Sequence, residues 1–409
     1  MRRQEGNENA MSAEGGAGAT ASRVIARLAS TTAYRVAEVL PLPRTADVNV
    51  VPAAVGAMTA RWLTHALCAD VPAARVIDFA AVGPTSQTTS RATLHLQYND
   101  AGIDAGLPNT VFAKLTATLR QRMFLGLIRC LEGEPLFYRD LRPKLSIECP
   151  YGYYGAVDRK SWRSVVLTED IAATRSATFL HATSRISRAD IESLVSVMAG
   201  FHGAMWESPQ ITRASWLKTP YDHFHNTSAF LNMRKRVAVG VRRTADIVPV
   251  RIRDNVNDLW QPFLASMQAC STGPATLLHG DPHVGNTYRS GMGATAFLDW
   301  QVCMKGSWAF DYAYVVSTAL TVEDRRAWER DLLVYYLDAL AAAGGQPPSF
   351  DEAFRLYRQC LMYPFHTWTT VIGRSAMQPL MQEEDVCRLI IERVAHAIDD
   401  LDAFPTAGL

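Results

Sequence analysis

Cysteine is sparse: there are 7 in 409 residues, at positions 68, 130, 149, 270, 303, 360 and 387. The number is odd, the spacing is wide and no C-x-x-C occurs. A zinc ribbon or a disulfide framework is therefore not expected, and a reducing, cytoplasmic setting fits. Neither sign of charge predominates. With 41 Lys+Arg against 40 Asp+Glu the net charge is +1, whereas a dedicated nucleic-acid binder normally carries a basic excess. No apolar run approaches the roughly 18 residues that a bilayer-spanning helix needs. The opening stretch MRRQEGNENAMSAEGGAG has arginines but no apolar segment behind them, so no secretory signal is expected. Neither G-x-S-x-G nor H-E-x-x-H occurs, which removes two hydrolase classes. What is present is 48% hydrophobic and 20% charged residues, an ordinary globular composition with core enough for two or three domains.

Residues 1–22 are Gly, Ala, Glu, Asn and Ser with little to bury, and read as a disordered tail. Residues 23–57, with prolines at 41, 43 and 52, read as an irregular lead-in. A first firm helix begins after Thr59 as N-cap, with Trp62, Leu63, Ala66 and Leu67 on one face. Strand grammar follows: 76–82, 92–98 and 110–115 are short β-type runs, broken by GPTSQTTS and NDAGIDAGLPN. Helices are expected over 120–131 and 134–141, then strands over 151–157 and 164–168. From Ser187 the pattern turns helical. Ser187 to Asp190 resembles a capping box, with Ile191, Leu194, Val195 and Met198 at helical spacing behind it. Further helices are expected near 221–238, 244–270, 323–343, 350–372 and 383–402, with a strand–loop–strand insert at 276–300.

That insert carries the chemistry. A short apolar strand delivers His279-Gly280-Asp281, Asn286 comes five residues after Asp281, and a second apolar strand ends at Asp299. Two carboxylates and a carboxamide just past buried strands make a Mg²⁺–phosphate site. Mg²⁺ takes hard oxygen ligands and needs only one or two protein carboxylates, which leaves the third group to orient or deprotonate a hydroxyl. The pattern is H-x-D-x-x-x-x-N followed by a later Asp, as in kinase catalytic loops.

With His-Gly-Asp in place of His-Arg-Asp and Asp-Trp-Gln in place of Asp-Phe-Gly, the segment resembles the aminoglycoside phosphotransferase and choline-kinase-like family of small-molecule kinases. The resemblance covers roughly residues 60–400 and is densest at 277–316. It implies Asp281 as catalytic base and Asn286 and Asp299 as Mg²⁺ ligands. It also makes Asp311 the brace of the catalytic loop. His279 reads as a loop-bracing residue, His283 as local and His202 as a satisfied structural histidine.

The family's fold then places further residues. Lys114, inside the apolar strand Val111-Phe-Ala-Lys114-Leu, matches the kinase V-A-I-K lysine that pairs with phosphate. Glu134, in Glu134-Pro-Leu-Phe-Tyr138, is its expected partner, with Glu132 the rival. The phosphate-covering loop falls at 83–90, where only Gly83 is a glycine and the hydroxyls of Thr85, Ser86 and Thr88 stand in for backbone amides. Leu167, Thr168 and Glu169 fall at the adenine-carrying hinge by order alone.

The expected architecture is α+β, a protein-kinase-like two-lobed fold. It has a small β-sheet lobe over 58–168 and a mainly helical lobe over 169–409, with the catalytic loop at 276–301. The expected reaction is Mg²⁺-dependent transfer of the ATP γ-phosphate to a hydroxyl of a small molecule. A catalytically dead, nucleotide-binding or scaffolding member of the fold is the alternative, against which stand Lys114, Asp281 and Asp299. An aminoglycoside would need an acidic groove. The stretch Asn232 to Arg236 with Arg242 and Arg243 is instead basic, and Trp206, Trp216, Tyr221, Phe224, Tyr363, Phe365 and Trp368 make the helical part aromatic. A neutral or anionic hydroxylated acceptor with apolar surface is therefore expected.

Overall fold

The computed structural model describes residues 26–33, 48–86, 88–375 and 380–403, so the expected tail at 1–22 lies outside the described residues. The chain divides into two compact units. One runs up to Leu131 and takes in Ala156–Leu167; the other comprises Glu132–Gly155 and everything from Thr168 onward.

The first unit holds β1 (Val76–Ser86), β2 (Ser90–Tyr98), β3 (Thr110–Leu115), the end of β4 (Gly152–Asp158) and most of β5 (Arg163–Glu169), strands of one sheet in the order β1-β2-β3-β5-β4. β1, β2 and β3 pair antiparallel. In β2, Ala92, Leu94, Leu96 and Tyr98 are buried and their neighbours less so, the two-residue period of a sheet with one face on a core. Edge strand β1 buries only Val76. The helix Ala60–Leu67 is capped as its sequence predicts, the Thr59 hydroxyl accepting from the Trp62 amide at 3.1 Å. Its face consists of Trp62, Leu63 and Ala66, with Leu67 only half-buried. Thr118 and Gln121 form a full capping box on the helix Leu119–Leu127.

The second unit is mainly helical. Its helix Arg188–Ala204 starts at the Ser187–Asp190 capping box and buries Ile191, Leu194, Val195 and Met198 completely. Every residue of the helix Ala309–Ala319 is buried, so that helix shows no polar face and no period in the sequence. Short strands complete the unit. β6 (Thr178–Phe179), β8 (Thr287–Arg289) and β9 (Thr295–Phe297) lie in the order β6-β8-β9, and β7 (Thr276–Leu278) pairs antiparallel with β10 (Met304–Gly306).

Three long helices expected from the sequence are broken. The span 221–238 becomes Pro220–Leu231 and Met233–Arg243, with Asn232 left-handed at φ +51° between them. Asparagine tolerates that region better than most residues. The span 350–372 divides at Leu361 into Phe350–Cys360 and Met362–Ile372. Pro364 has no amide to bond back to Cys360, so the second helix has to start afresh, with proline in its first turn. Only Val250–Asp254 and Trp260–Cys270 form helix within 244–270.

Candidate functional site

Strand β7 ends at Leu278 and the chain turns at Gly280, whose φ is +85°. A Cβ there would lie 2.3 Å from the Val302 carbonyl oxygen, so both conformation and space demand glycine. The turn's amides are held by Asp311, in the first turn of the helix Ala309–Ala319. Its Oδ2 accepts from the His279 amide at 2.6 Å and its Oδ1 from the Gly280 amide at 3.0 Å. Behind it, His202 Nε2 lies 3.3 Å from Asp311 Oδ2, and Nδ1 lies 2.6 Å from the Tyr336 hydroxyl. Both His202 and Asp311 are fully buried. Burial lowers the His202 pKa, with Asp311 pulling it the other way.

The His279 side chain braces the loop, as the sequence reading expects. Its Nδ1 accepts from the Asp281 amide at 3.2 Å, which leaves Nε2 as the protonated nitrogen, 3.0 Å from the Leu298 carbonyl. His283 acts locally, its Nδ1 accepting from the Gly285 amide at 3.1 Å, with Nε2 3.7 Å from Asp281 Oδ2.

Asp281 emerges from this frame with its side chain 29% exposed. Asn286 Nδ2 donates to the Asp281 carbonyl at 2.9 Å and to its Oδ2 at 3.1 Å. Asn286 directly precedes β8, while Leu298 and Asp299 directly follow β9. The hairpin register, Thr287 opposite Phe297, brings these ends together, and the Leu298 amide donates to the Asn286 carbonyl at 2.9 Å. Asp299 is half-buried in a left-handed conformation, φ +65° and ψ +63°. The next residue, Trp300, is fully buried and stacked on Phe137 with ring centroids 3.9 Å apart.

The donor set suits Mg²⁺. The Asn286 amide nitrogen is turned to Asp281, which frees its Oδ1, and Asp299 supplies a carboxylate at the same end of the hairpin. Among the described residues no three His, Cys, Asp or Glu side chains gather as a metal cage. Mg²⁺ bound partly through phosphate oxygens does not need one.

In the first unit, Lys114 is only 6% exposed and sits directly across from Arg91 in the β2–β3 register. Gly83, at φ +61°, lies in the register shift that interrupts β1 between Val82 and Thr85. Thr85 and Ser86 are exposed at the end of that strand, and Ser86 Oγ accepts from Gln121 Nε2 at 3.2 Å. The same Gln121 accepts from Ser90 and from the Ala117 and Thr118 amides, tying the hairpin to the helix behind it. The chain leaves this unit between Leu167, fully buried, and Thr168, 6% exposed. In the second unit Glu169 accepts from Arg175 Nη2 at 2.5 Å and from the Tyr151 amide at 3.0 Å. Glu134 is 7% exposed in the first turn of Gly133–Leu136, while its rival Glu132 is half-buried at the N-cap.

Two residues at the loop were not singled out for the site by the sequence reading. The Tyr314 hydroxyl lies 2.6 Å from Asp281 Oδ1, and Trp368 Nε1 donates to the Tyr314 oxygen at 3.0 Å. For Tyr314 a signal existed: it follows Asp311 by three residues on one helix and so shares its face. Trp368, fifty-four residues further on, is named from the sequence only among the aromatics of the helical part, and nothing there links it to Tyr314.

The sequence model described as "Phosphotransferase enzyme family" matches residues 131–346, just over half of the chain. Among curated proteins none matches the sequence. Solved structures resemble it distantly. The macrolide 2'-phosphotransferase MphH from Brachybacterium faecium is 14% identical, covering 80% of this chain and 98% of its own at a TM-score of 0.44. A microcompartment-associated aminopropanol kinase is 13% identical, with coverages of 81% and 94% and a TM-score of 0.47. The choline kinase LicA from Streptococcus pneumoniae is 13% identical, with coverages of 80% and 94% and a TM-score of 0.43.

Proposed function

The chain belongs to the phosphotransferase enzyme family, and from that premise we propose that it moves the γ-phosphate of ATP to a hydroxyl of a small molecule, with Asp281 as base. The observation that carries this reading is the setting of Asp281. Its carboxylate is partly exposed at the tip of a loop whose backbone is locked from behind by buried Asp311. A carboxylate in that position accepts the proton of an incoming hydroxyl as the oxygen attacks phosphorus. Asn286 and Asp299 are the residues that would hold Mg²⁺. When bound, Mg²⁺ supplies positive charge against the phosphate oxygens. The assignment of Lys114, Glu134, Gly83, Thr85, Ser86, Leu167, Thr168 and Glu169 to the nucleotide rests on the sequence pattern.

The acceptor is a neutral or anionic hydroxylated molecule with apolar surface. Supporting this, the helix Met233–Arg243 keeps Arg234, Lys235, Arg242 and Arg243 in one short stretch. Phe224, Tyr363, Phe365 and Trp368 are buried and build the core, while Trp206, Trp216 and Tyr221 remain half-buried. The acidic residues Glu383, Glu384 and Asp385 sit at the start of the helix Glu384–Asp400, where the helix dipole favours them.

The test is transfer of labelled phosphate from MgATP to a panel of kanamycin, choline and hydrophobic alcohols. Turnover of a hydrophobic alcohol is expected. Turnover of kanamycin alone would overturn the acceptor class. No transfer to any acceptor, with no MgATP binding, would favour the inactive alternative.

A further inference from the structure

We propose that Tyr314, oriented by Trp368, is the positioning residue of the base: it fixes the Asp281 carboxylate so that an oxygen stays aimed at the acceptor hydroxyl. The inference rests on the reading of Asp281 as base.

The direction of each hydrogen bond follows from donor and acceptor inventories. An indole N–H can only donate, so at the 3.0 Å contact with Trp368 the Tyr314 oxygen is the acceptor. The phenol's single proton is then free for the 2.6 Å contact, and Asp281 Oδ1 accepts it. At the other oxygen, Oδ2, Asn286 Nδ2 is again a donor. Each oxygen of Asp281 thus receives one hydrogen bond, from a different residue. Rotation about Cβ–Cγ breaks both bonds, so the plane of the group is set before any acceptor arrives. A charged acceptor makes such bonds short and strong.

Tyr314 does not compete with Asp281 for the substrate proton. It is fully buried, and burial together with the nearby Asp281 charge pushes its pKa well above the ordinary value, so it stays a donor. The division of labour on the helix Ala309–Ala319 is also informative. Asp311 holds the loop's backbone at His279 and Gly280, and Tyr314, one turn on, holds the side chain at Asp281. One rigid, wholly buried helix therefore fixes both where the base stands and which way it faces.

The experiment compares Tyr314→Phe, Trp368→Phe and Asp281→Asn in the full chain, using MgATP and the panel alcohol with the highest turnover. Tyr314→Phe, which removes only the hydroxyl, is expected to lower kcat about tenfold or more, the loss of one charge-assisted hydrogen bond. The KM for MgATP should stay within about twofold, because the interaction is spent on the chemical step. Trp368→Phe should lower kcat less, since the phenol keeps its contact but loses its orientation. In the Asp281→Asn background, Tyr314→Phe should cost nothing more. Wild-type kcat in Tyr314→Phe, with Asp281→Asn inactive, would overturn the positioning role and leave the base standing. Substantial turnover in Asp281→Asn would instead sink the base itself. A purely structural role would lower the melting temperature and disturb kcat and KM together, and that too overturns the inference. If Tyr314→Phe does not fold, the kcat and KM of Trp368→Phe decide in the same way.

Discussion

Asp311 Oδ2 lies 2.6 Å from the backbone nitrogen of His279, although 32 residues separate the two in the chain. Both residues are completely buried. A carboxylate without solvent is tolerable only when its lone pairs are matched, and here the amides of His279 and Gly280 and the ring of His202 match them. The geometry of the loop at His279–Asp281 is therefore an outcome of core formation.

Asp311→Ala should accordingly destabilise the whole second unit. It leaves two buried amides and a buried imidazole without their acceptor, at a cost on the order of 3 kcal/mol or more. Denaturant unfolding monitored by circular dichroism measures this. A variant as stable as wild type would refute the claim that Asp311 anchors the loop.

Gly280→Ala meets two obstacles at once, a φ of +85° and a carbonyl oxygen 2.3 Å from the added methyl. A loss of about 1–3 kcal/mol is expected from the strained backbone alone. Activity should fall further than stability, because any relief of the clash moves Asp281. The comparison to make is residual turnover against the fraction still folded.

Chemistry and binding should separate at the two acids. Asp281→Asn is expected to leave nucleotide affinity nearly intact while phosphoryl transfer drops by orders of magnitude. If Asp299 holds Mg²⁺ as proposed, Asp299→Ala should weaken MgATP binding itself. Thermal shift shows the difference, since a ligand at about 100 times its Kd adds about 2.7 kcal/mol of stability. Equal MgATP shifts in wild type and Asp299→Ala would remove Asp299 from the metal site.

Three buried histidines make stability depend on pH. Burial lowers the pKa of His202 and His279 below 6.5 and takes that of His366 to about 4. Each is neutral in the folded chain but protonates readily once unfolded. The unfolded state thus binds more protons, and stability rises with pH through this window. The contribution is complete above about pH 6.5–7 and is lost as the pH falls from there toward the folded values. Each histidine adds a slope of up to about 1.4 kcal/mol per pH unit. Melting temperatures at pH 7.5, 6 and 5 should decline in that order, and His366→Phe should flatten the curve. A flat profile between 7.5 and 5 would contradict the burial of these rings as neutral groups.

Much of the fold was legible because local rules set it. Thr59 and Ser187 cap helices through bonds spanning three residues, so adjacent sequence carries the whole signal. The β-rich first part and helical remainder of this α+β chain could likewise be read from periodicity. Where a single residue overrode the pattern the reading failed. Asn232 and Pro364 each break what hydrophobic spacing alone joins into one helix.

By itself the sequence determined the order of elements and the residue types of the candidate site. His279, Gly280, Asp281, Asn286 and Asp299 fall within 21 consecutive positions, and their spacing follows from a strand, a tight turn and a hairpin. The family resemblance already implied Asp311 as the brace of that loop's backbone. Only the tertiary structure decided how Asp281 is oriented: Tyr314 and Asn286 hold its carboxylate, and Trp368 orients Tyr314 across 54 residues. The reason is physical. A hydrogen bond between side chains on different helices depends on which helix faces pack together, and that is settled by burying apolar surface over the whole unit, not by the residues at either end of the bond.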